Sequence, residues 1–366
     1  MNKIVCFHLY NDFSGSPKVL KTVLEGLLKM NRHIDIVSSK GGVLESLEHY
    51  QNLRCYWYRY HFSERPFLTM LRYTLIQIYT FLFSFRYLFT KNIVFYINTL
   101  LPIGPAVAGR LMGKRVVYHY HENAFVKGFV YRFLAKVMQY LAHQIICVSY
   151  FQASMLDNKS KIVVIPNALS EDFRINLSPN PDNAFKKKTV LMISSLKKYK
   201  GISEFISLSS QLSQFHFTLL INDEIENIRI YLEREALTIP DNLCLLQRQE
   251  DVSSMYGESS VLLNLTNKEY AIETFGLTTL EALTVGLPVI VPTIGGIAEM
   301  VEDGVNGYKI DVTDLDKISE TLIKMLTDID LYRYLAINAI TTSGKYREKE
   351  MIKSIVSLIE NVERRK

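Results

Sequence analysis

Glu273-Thr-Phe-Gly-Leu-Thr-Thr-Leu-Glu281-Ala-Leu-Thr-Val-Gly-Leu-Pro-Val-Ile-Val-Pro292 reads as loop, helix, stop, strand. Gly276 gives a flexible start and Leu277 to Val285 suits a helix. Gly286 and Pro288 end it, a glycine just past the last turn and a proline beyond it. Pro288 to Val291 is an apolar run fit for a buried strand, and Thr293-Ile-Gly295-Gly296 turns the chain towards a further helix. Two acids break this pattern. Glu281 lies four residues after Leu277 and one after Leu280, so it points with the apolar face, where a carboxylate is costly without a partner. Glu273 sits just ahead of the helix, whose first backbone N–H groups are free and make that end an anion site. A solvated loop glutamate, or a helix glutamate paired with a lysine, explains either acid alone. Together they flank an anion-binding helix start, which suits a diphosphate whose sugar hydroxyls donate to the carboxylates.

The same residues carry a resemblance. Glu273, Phe275-Gly276, Leu280-Glu281-Ala282, Gly286, Pro288-Val289-Ile290, Gly295-Gly296 and Glu299 follow in order the pattern E-x-FG-x-x-x-LEA-x-x-x-G-x-PVI, then GG-x-x-E. This resembles the Glu-x7-Glu signature of the retaining glycosyltransferases with the GT-B fold, group 1 or family 4. The resemblance implies an α/β protein of two doubly wound, Rossmann-like domains facing across a cleft. It also implies transfer of a hexosyl group from a UDP- or GDP-linked sugar to a glycan or lipid-linked saccharide, in surface polysaccharide (O-antigen or capsule) assembly.

Composition sets outer limits. At 366 residues the chain exceeds one ordinary core, so two domains are expected. Hydrophobic residues at 48% and charged residues at 22% describe a globular chain rather than a disordered one. The net charge of +5 suits anionic partners such as nucleotide diphosphates or acidic lipid surfaces. No long basic run or base-reading motif points to nucleic acid. Cys6, Cys55, Cys147 and Cys244 are scattered without zinc-ligand spacing, as free thiols in a reducing cytoplasm would be. The apolar run after Lys3 is short and gives way to Asn11-Asp12, so no signal peptide is expected. Asn264-Leu-Thr266 is then a chance sequon.

The first half alternates strand and helix. Lys3 to Tyr10 suits a strand, Asn11 to Pro17 a turn, and the stretch to Met30 a helix with Val19, Leu20, Val23, Leu24, Leu27 and Leu28 inside. His33 to Ser38 is a second strand. This order indicates a parallel doubly wound sheet, with ligands beyond the strands' carboxyl ends. Lys114 to Tyr118 is a strand that runs into His119-Tyr-His121-Glu122-Asn123, at such an end. Two histidines one residue apart lack the third placed ligand a zinc site needs. The resemblance implies that His119 hydrogen-bonds the donor sugar near the reacting carbon and that His121 and Glu122 face the acceptor. It implies that the first loop, with Gly15 and Ser16, approaches acceptor and donor phosphates. Pro66 to Phe89 is the most apolar stretch, but Arg72, Gln77 and Arg86 leave no run of about 18–20 residues for a spanning helix. Two readings stand: a helix packed on the sheet, or one lying on the inner membrane face with Arg and Tyr at the headgroups.

The second half repeats the alternation. The expected division is 1–170 for an acceptor-side domain, 171–188 for a linker, 189–345 for a nucleotide-sugar domain, and 346–366 for a helix crossing back to the first domain. Thr189 to Ser194 suits a strand, followed by the basic turn Leu196-Lys-Lys-Tyr-Lys200-Gly201, a plausible diphosphate clamp. In the resembled family this segment reads GRL-x-x-x-KG. Lys200 matches its lysine, Ser195 replaces its arginine and Ser194 its glycine, so either Lys197 or Lys198 compensates or the diphosphate is held less firmly. The resemblance assigns Glu281 to the ribose and Lys200 to the leaving diphosphate. It assigns Glu273 and the backbone of Phe275, Gly276, Leu277 and Thr278 to the donor sugar and phosphates, and Arg248 to the base. No metal and no cofactor besides the donor are expected, and the protein is expected in the cytoplasm, with peripheral contact at the inner membrane face. The alternatives are a non-catalytic GT-B nucleotide-sugar-binding subunit, for which the replaced arginine speaks, and a GT-B sugar-nucleotide epimerase, against which the Leu280-Glu281-Ala282 pattern speaks. A glycoside hydrolase with two carboxylates fits less well beside an anion site.

Overall fold

The computed structural model describes residues 3–61, 63, 65–125, 128–175, 179–249 and 251–364. The chain divides into two compact units, one comprising the residues up to Ala168 together with the C-terminal helix Glu348–Arg364, the other Leu169–Arg347. Each unit is built on one parallel sheet. The strands of the first are β1 (Lys3–Phe7), β2 (Ile34–Ser39), β3 (Leu53–Tyr58), β4 (Ile93–Asn98), β5 (Arg115–Tyr120), β6 (Gln144–Cys147) and β7 (Ile162–Val164), in the order β3-β2-β1-β4-β5-β6-β7. Those of the second are β8 (Thr189–Ser194), β9 (His216–Ile221), β10 (Leu243–Leu246), β11 (Val261–Leu263), β12 (Val289–Val291) and β13 (Gly307–Lys309), in the order β10-β9-β8-β11-β12-β13. Helices cover both faces of such sheets, so central strands are apolar throughout rather than alternating. In β4 all six residues are buried, and Val94 to Ile97 pair with Arg115 to Tyr118 of β5 without a break.

Strand order reverses between β1 and β4 in the first sheet and between β8 and β11 in the second. At such a point neighbouring loops leave in opposite directions and open a crevice beyond the strand ends. The helix Gly15–Lys29 buries Val19, Leu20, Val23, Leu24, Leu27 and Leu28, as its spacing predicts. Against it lies the C-terminal helix. A Cβ on Gly26 would come within 2.6 Å of Ile352, and Arg32 pairs with Glu360. Ile352, Ile355 and Ile359 of the apolar stripe are buried.

Three details differ from the sequence reading. β5 runs two residues further, to Tyr120, so His119 lies inside the strand. The segment 171–188 is not a bare linker. It carries the short helices Glu171–Ile175 and Pro181–Lys187 within the second unit, where Arg333 holds Asp182 at 2.7 Å; residues 176–178 lie outside the described residues. The expected terminal helix is preceded by two more, so the chain finishes on Leu315–Thr327, Ile329–Ser343 and Glu348–Arg364. Asp328 caps the second of these through the N–H groups of Asp330 and Leu331, a break the apolar spacing alone does not announce.

Candidate active site

In the second unit the reversal point is occupied by an ion pair. The loop after β8 carries Lys200 and the loop after β11 carries Glu273; the Lys200 ammonium donates to Glu273 Oε1. Thr266 Oγ1 donates to the same oxygen at 3.2 Å. Two glycines make this closure possible. Gly201 has φ +79°, and a Cβ there would lie 2.4 Å from the Leu265 carbonyl oxygen. Gly295 has φ +108°, and its Cβ would lie 2.5 Å from the Glu273 carbonyl oxygen, which accepts a hydrogen bond from Gly296 N at 2.8 Å. Burial pushes the Glu273 carboxyl up, but the Lys200 charge and hydrogen bond, with Thr266 and Asn264, outweigh it and hold the group below its ordinary value. Glu273 is an anion at neutral pH.

Three residues on, the helix Leu277–Thr284 starts from Gly276, which is left-handed at φ 92°. No side chain caps it and no acid stands in its first turn. The N–H groups of Leu277, Thr278 and Thr279 are orphans of the kind that bind anions, and Thr279 Oγ1 is buried without a partner among the described residues. Glu281, costly on the apolar face, has its partner: the buried Tyr256 hydroxyl donates to Glu281 Oε2. Burial, and then the Glu281 charge, push the Tyr256 phenol well up, so it stays a donor. Phe275 belongs to the core, edge-on to Tyr346 at 5.7 Å, so only its backbone faces the helix start.

The basic loop separates its two exposed lysines. Lys198 is committed to Glu235 at 2.8 Å. Lys197 is exposed and makes no ion pair among the described residues. Ser195 contributes its carbonyl, which accepts from Ser194 Oγ at 3.0 Å and Lys197 N at 2.8 Å. Arg248 lies exposed beyond β10, donating to Asn222 Oδ1 and Glu224 Oε1, both at 3.0 Å.

In the first unit the reversal point holds neutral groups. Asn98, the last residue of β4, donates through Nδ2 to His8 Nδ1 at 3.1 Å and accepts from His121 Nε2 at 3.0 Å. With the amide so oriented, His8 carries its proton on Nε2, which is buried without a partner. The Tyr96 hydroxyl meets His119 Nδ1 at 2.8 Å, and the His119 and His121 rings stack at 4.2 Å. Burial lowers His8 to about 4 and His119 to about 3. Burial, then the charges of His119 and His8, take His121 well below its usual value. Next to this cluster Thr99 adopts φ 72°, a conformation unfavourable for a β-branched residue and typical of functional sites.

His119 is buried within β5, with its Nδ1 against the Tyr96 hydroxyl and its Nε2 without a partner among the described residues. His121, one residue past the strand and half-buried, is the exposed member of the stack. Both oxygens of Glu122 take the Leu100 N–H, at 3.1 and 3.0 Å, which pins that loop. Gly15 and Ser16 are the first two residues of the helix Gly15–Lys29. His8, Tyr96, Asn98, Tyr256 and Thr266 were not anticipated. The available signal was position: a polar side chain at the end of an apolar strand run, as in Phe7-His8 and Ile97-Asn98.

Comparison with known proteins gives the following. Residues 13–173 match the model for Glycosyltransferase Family 4, and residues 174–342 that for glycosyl transferases group 1. The N-acetyl-alpha-D-glucosaminyl L-malate synthase of Bacillus anthracis is 29% identical over 155 residues, 42% of this chain and 40% of that protein. The match thus spans less than half the length of that relative. The capsular polysaccharide biosynthesis glycosyltransferase CapM of Staphylococcus aureus is 25% identical over 362 residues, 91% of this chain and 90% of that one. The crystal structure of Anabaena HepE in complex with UDP and glucose superposes with a TM-score of 0.79, at 16% identity, covering 98% of this chain and 100% of that one. Its two parallel-sheet units give this chain the GT-B fold.

Proposed function

From the premise that this chain belongs to the group 1 glycosyltransferases, we propose that it moves a hexosyl group, with retention at the anomeric carbon, from a UDP- or GDP-linked sugar to a hydroxyl of a glycan or lipid-linked saccharide in surface polysaccharide assembly. The observation that carries the reading is the Lys200–Glu273 pair standing ahead of an uncapped helix start, with Glu281 held by Tyr256 four residues into that helix. A diphosphate needs concentrated positive potential, which the N–H groups of 277–279 and the Lys200 ammonium supply. As the bond from the anomeric carbon to the diphosphate breaks, its electron pair moves onto the departing phosphate oxygen. Those donors stabilise the new charge, and Lys197 takes the part of the arginine absent at Ser195. The acceptor hydroxyl oxygen forms the new bond to the anomeric carbon on the face the diphosphate leaves, and its proton passes to the departing phosphate oxygen. Glu281 accepts from the ribose hydroxyls and Glu273 holds the sugar. The role of CapM in capsule biosynthesis supports the acceptor class, and the UDP and glucose bound to HepE support a uridine donor.

Titration of the purified chain with UDP, GDP, dTDP, ADP and their sugar conjugates, in chelator, tests this. Micromolar binding of one nucleotide, lost in Glu281→Ala, is expected, with the product's anomeric configuration matching the donor's. Binding without turnover would favour a nucleotide-sugar-binding subunit, the reading that Ser195 supports. A requirement for divalent cation would overturn the metal-free mechanism.

A further inference from the structure

The helix Ile329–Ser343 ends on the turn Ser343-Gly-Lys-Tyr346. The last carbonyls of a helix lack partners inside it, and a cation beside them is favourable. Arg174, from the short helix Glu171–Ile175, supplies one. Its Nη2 donates to Ser343 O at 3.1 Å and to Tyr346 O at 2.8 Å. An exposed cation would cap these carbonyls without a desolvation cost. Arg174 is instead half-buried, with burial and then the Arg347 charge working against its own. Its Nε is buried without a partner among the described residues. What this clasp fixes is the support of the donor site. Tyr346 lies edge-on to Phe275 at 5.7 Å, just before Gly276 and the uncapped start of Leu277–Thr284. Past the far end of that helix, a Cβ on Gly286 would come within 3.1 Å of Ile340 in the capped helix. With 8 residues, Leu277–Thr284 is too short to be stable alone. The aim of its free N–H groups is therefore set by what packs on it.

The residue before Arg174 reaches the other half of the site. The Phe173 ring stands edge-on to Tyr256 at 6.2 Å, and Tyr256 donates to Glu281. Tyr256 sits on a helix of 5 residues, Ser253–Gly257, which has no more power to orient itself. Successive side chains on a helix diverge by about 100°, so Phe173 and Arg174 serve different partners from adjacent positions. Leu169 and Arg347, the two ends of the second unit, pair as an isolated parallel bridge and keep their segments side by side. We propose that Phe173 and Arg174 are positioning residues for the donor site: Phe173, through Tyr256, sets the Glu281 carboxylate for the ribose, and Arg174, through Tyr346 and Phe275, sets the helix start for the diphosphate. This rests on the donor-site reading above, with the ribose at Glu281 and the diphosphate at the helix start.

Calorimetric affinities of the full chain for UDP and GDP, their monophosphates and their 2′-deoxy forms test it. In Arg174→Ala the preference for diphosphate over monophosphate is expected to fall about tenfold, with the preference for ribose over 2′-deoxyribose kept. Arg174→Lys, which keeps a cation at the carbonyls, should restore most of that loss. Tyr346→Leu removes the ring from Phe275 and leaves the clasp, and should shift the same ratio. Phe173→Leu should do the reverse, lowering the ribose preference about fivefold and sparing the phosphate ratio. Thermal unfolding of each variant reports folding. Equal losses for every ligand would mark a merely structural brace, and no loss a spectator; either overturns the proposal. Glu281→Ala separates the two readings. If it abolishes the ribose preference while Phe173→Leu and Arg174→Ala leave both ratios unmoved, the donor site stands and the positioning role falls. If it leaves the ribose preference intact, or the wild type binds neither nucleotide, the donor-site reading falls and the positioning role with it.

Discussion

In the second unit the point where strand order reverses holds an ammonium, a carboxylate and an uncapped helix start. At the corresponding point of the first unit stand three neutral imidazoles around one amide. The folds are alike, so the difference lies in the charge each point presents. A diphosphate requires fixed positive charge that costs no reorganisation when negative charge develops. An uncharged sugar requires donors and acceptors in a dry setting, and histidines kept neutral by burial supply both.

The largest effect should come from breaking the charged site. Lys200→Ala removes the cation from the leaving group, and transfer is expected to fall about 10²–10³-fold, the scale of losing one such donor. It also leaves Glu273 without its counter-charge. A fully buried pair broken this way costs about 3–5 kcal/mol. Here both side chains keep a fifth of their exposure, 21% and 22%, so about 2–3 kcal/mol of stability is expected to be lost. Lys200→Ala/Glu273→Ala should recover most of the stability and none of the activity in a double-mutant cycle read by denaturant titration and turnover. Additivity in stability would show that the pair is not coupled.

The neutral site should be broken by acid. Its histidines have folded values below their unfolded one near 6.5, so the unfolded chain binds more protons between that pH and about 4. Their stabilising contribution is complete above pH 6.5 and is lost as pH falls through that window. Each histidine should cost about 1 kcal/mol between pH 6.5 and 5.5. Glu273, held low, stays ionised throughout. Thermal stability is therefore expected to fall steeply below pH 6.5, and His8→Gln should remove one proton from the slope. An unchanged slope would mean that His8 is not held neutral.

The two sites also differed in legibility. The charged one was visible because its chemistry is contiguous: Glu273, Gly276 and Glu281 fall within nine residues, and Gly286-Leu-Pro288 marks where the helix must stop. The partners that complete it were not visible. Tyr256 reaches Glu281 from a separate short helix, and Thr266 looked like part of a sequon until the fold turned it onto Glu273. The neutral site draws His8, Asn98 and His121 from three strand ends up to 113 residues apart, a proximity that only sheet order creates. The sequence pattern ends the strand at Tyr118, which would put His119 just beyond it. Two more residues of pairing bury the first histidine and leave the second at the edge. Strand periodicity is strong inside an apolar run and weak at its polar end, where sites are found.

A smaller effect should follow from Tyr256→Phe, which deletes only the hydroxyl that orients Glu281. A hydrogen bond to a charged acceptor is worth about 1.5–3 kcal/mol. Ribose hydroxyls and water take over part of it in the complex, so nucleotide Kd is expected to rise roughly tenfold, about 1.4 kcal/mol. Turnover at saturating donor should be little changed, because the oxygen lies on the nucleotide side of the bond that breaks. An equal loss in turnover would move Glu281 towards the reacting carbon.

The smallest effect is expected at Arg248, which tests whether exposure decides the strength of an ion pair in this unit. Like Lys200, Arg248 meets a glutamate, but it keeps 41% of its exposure and Glu224 keeps 67%. Water competes for both partners, and pairs of this kind are worth about 0–1 kcal/mol. Arg248→Ala should leave the unfolding midpoint within error and weaken nucleotide binding no more than about fivefold. If the guanidinium faces the base, the loss will differ between UDP and GDP. If it only braces Asn222 and Glu224, both nucleotides will weaken equally, and Glu224→Ala will reproduce the effect.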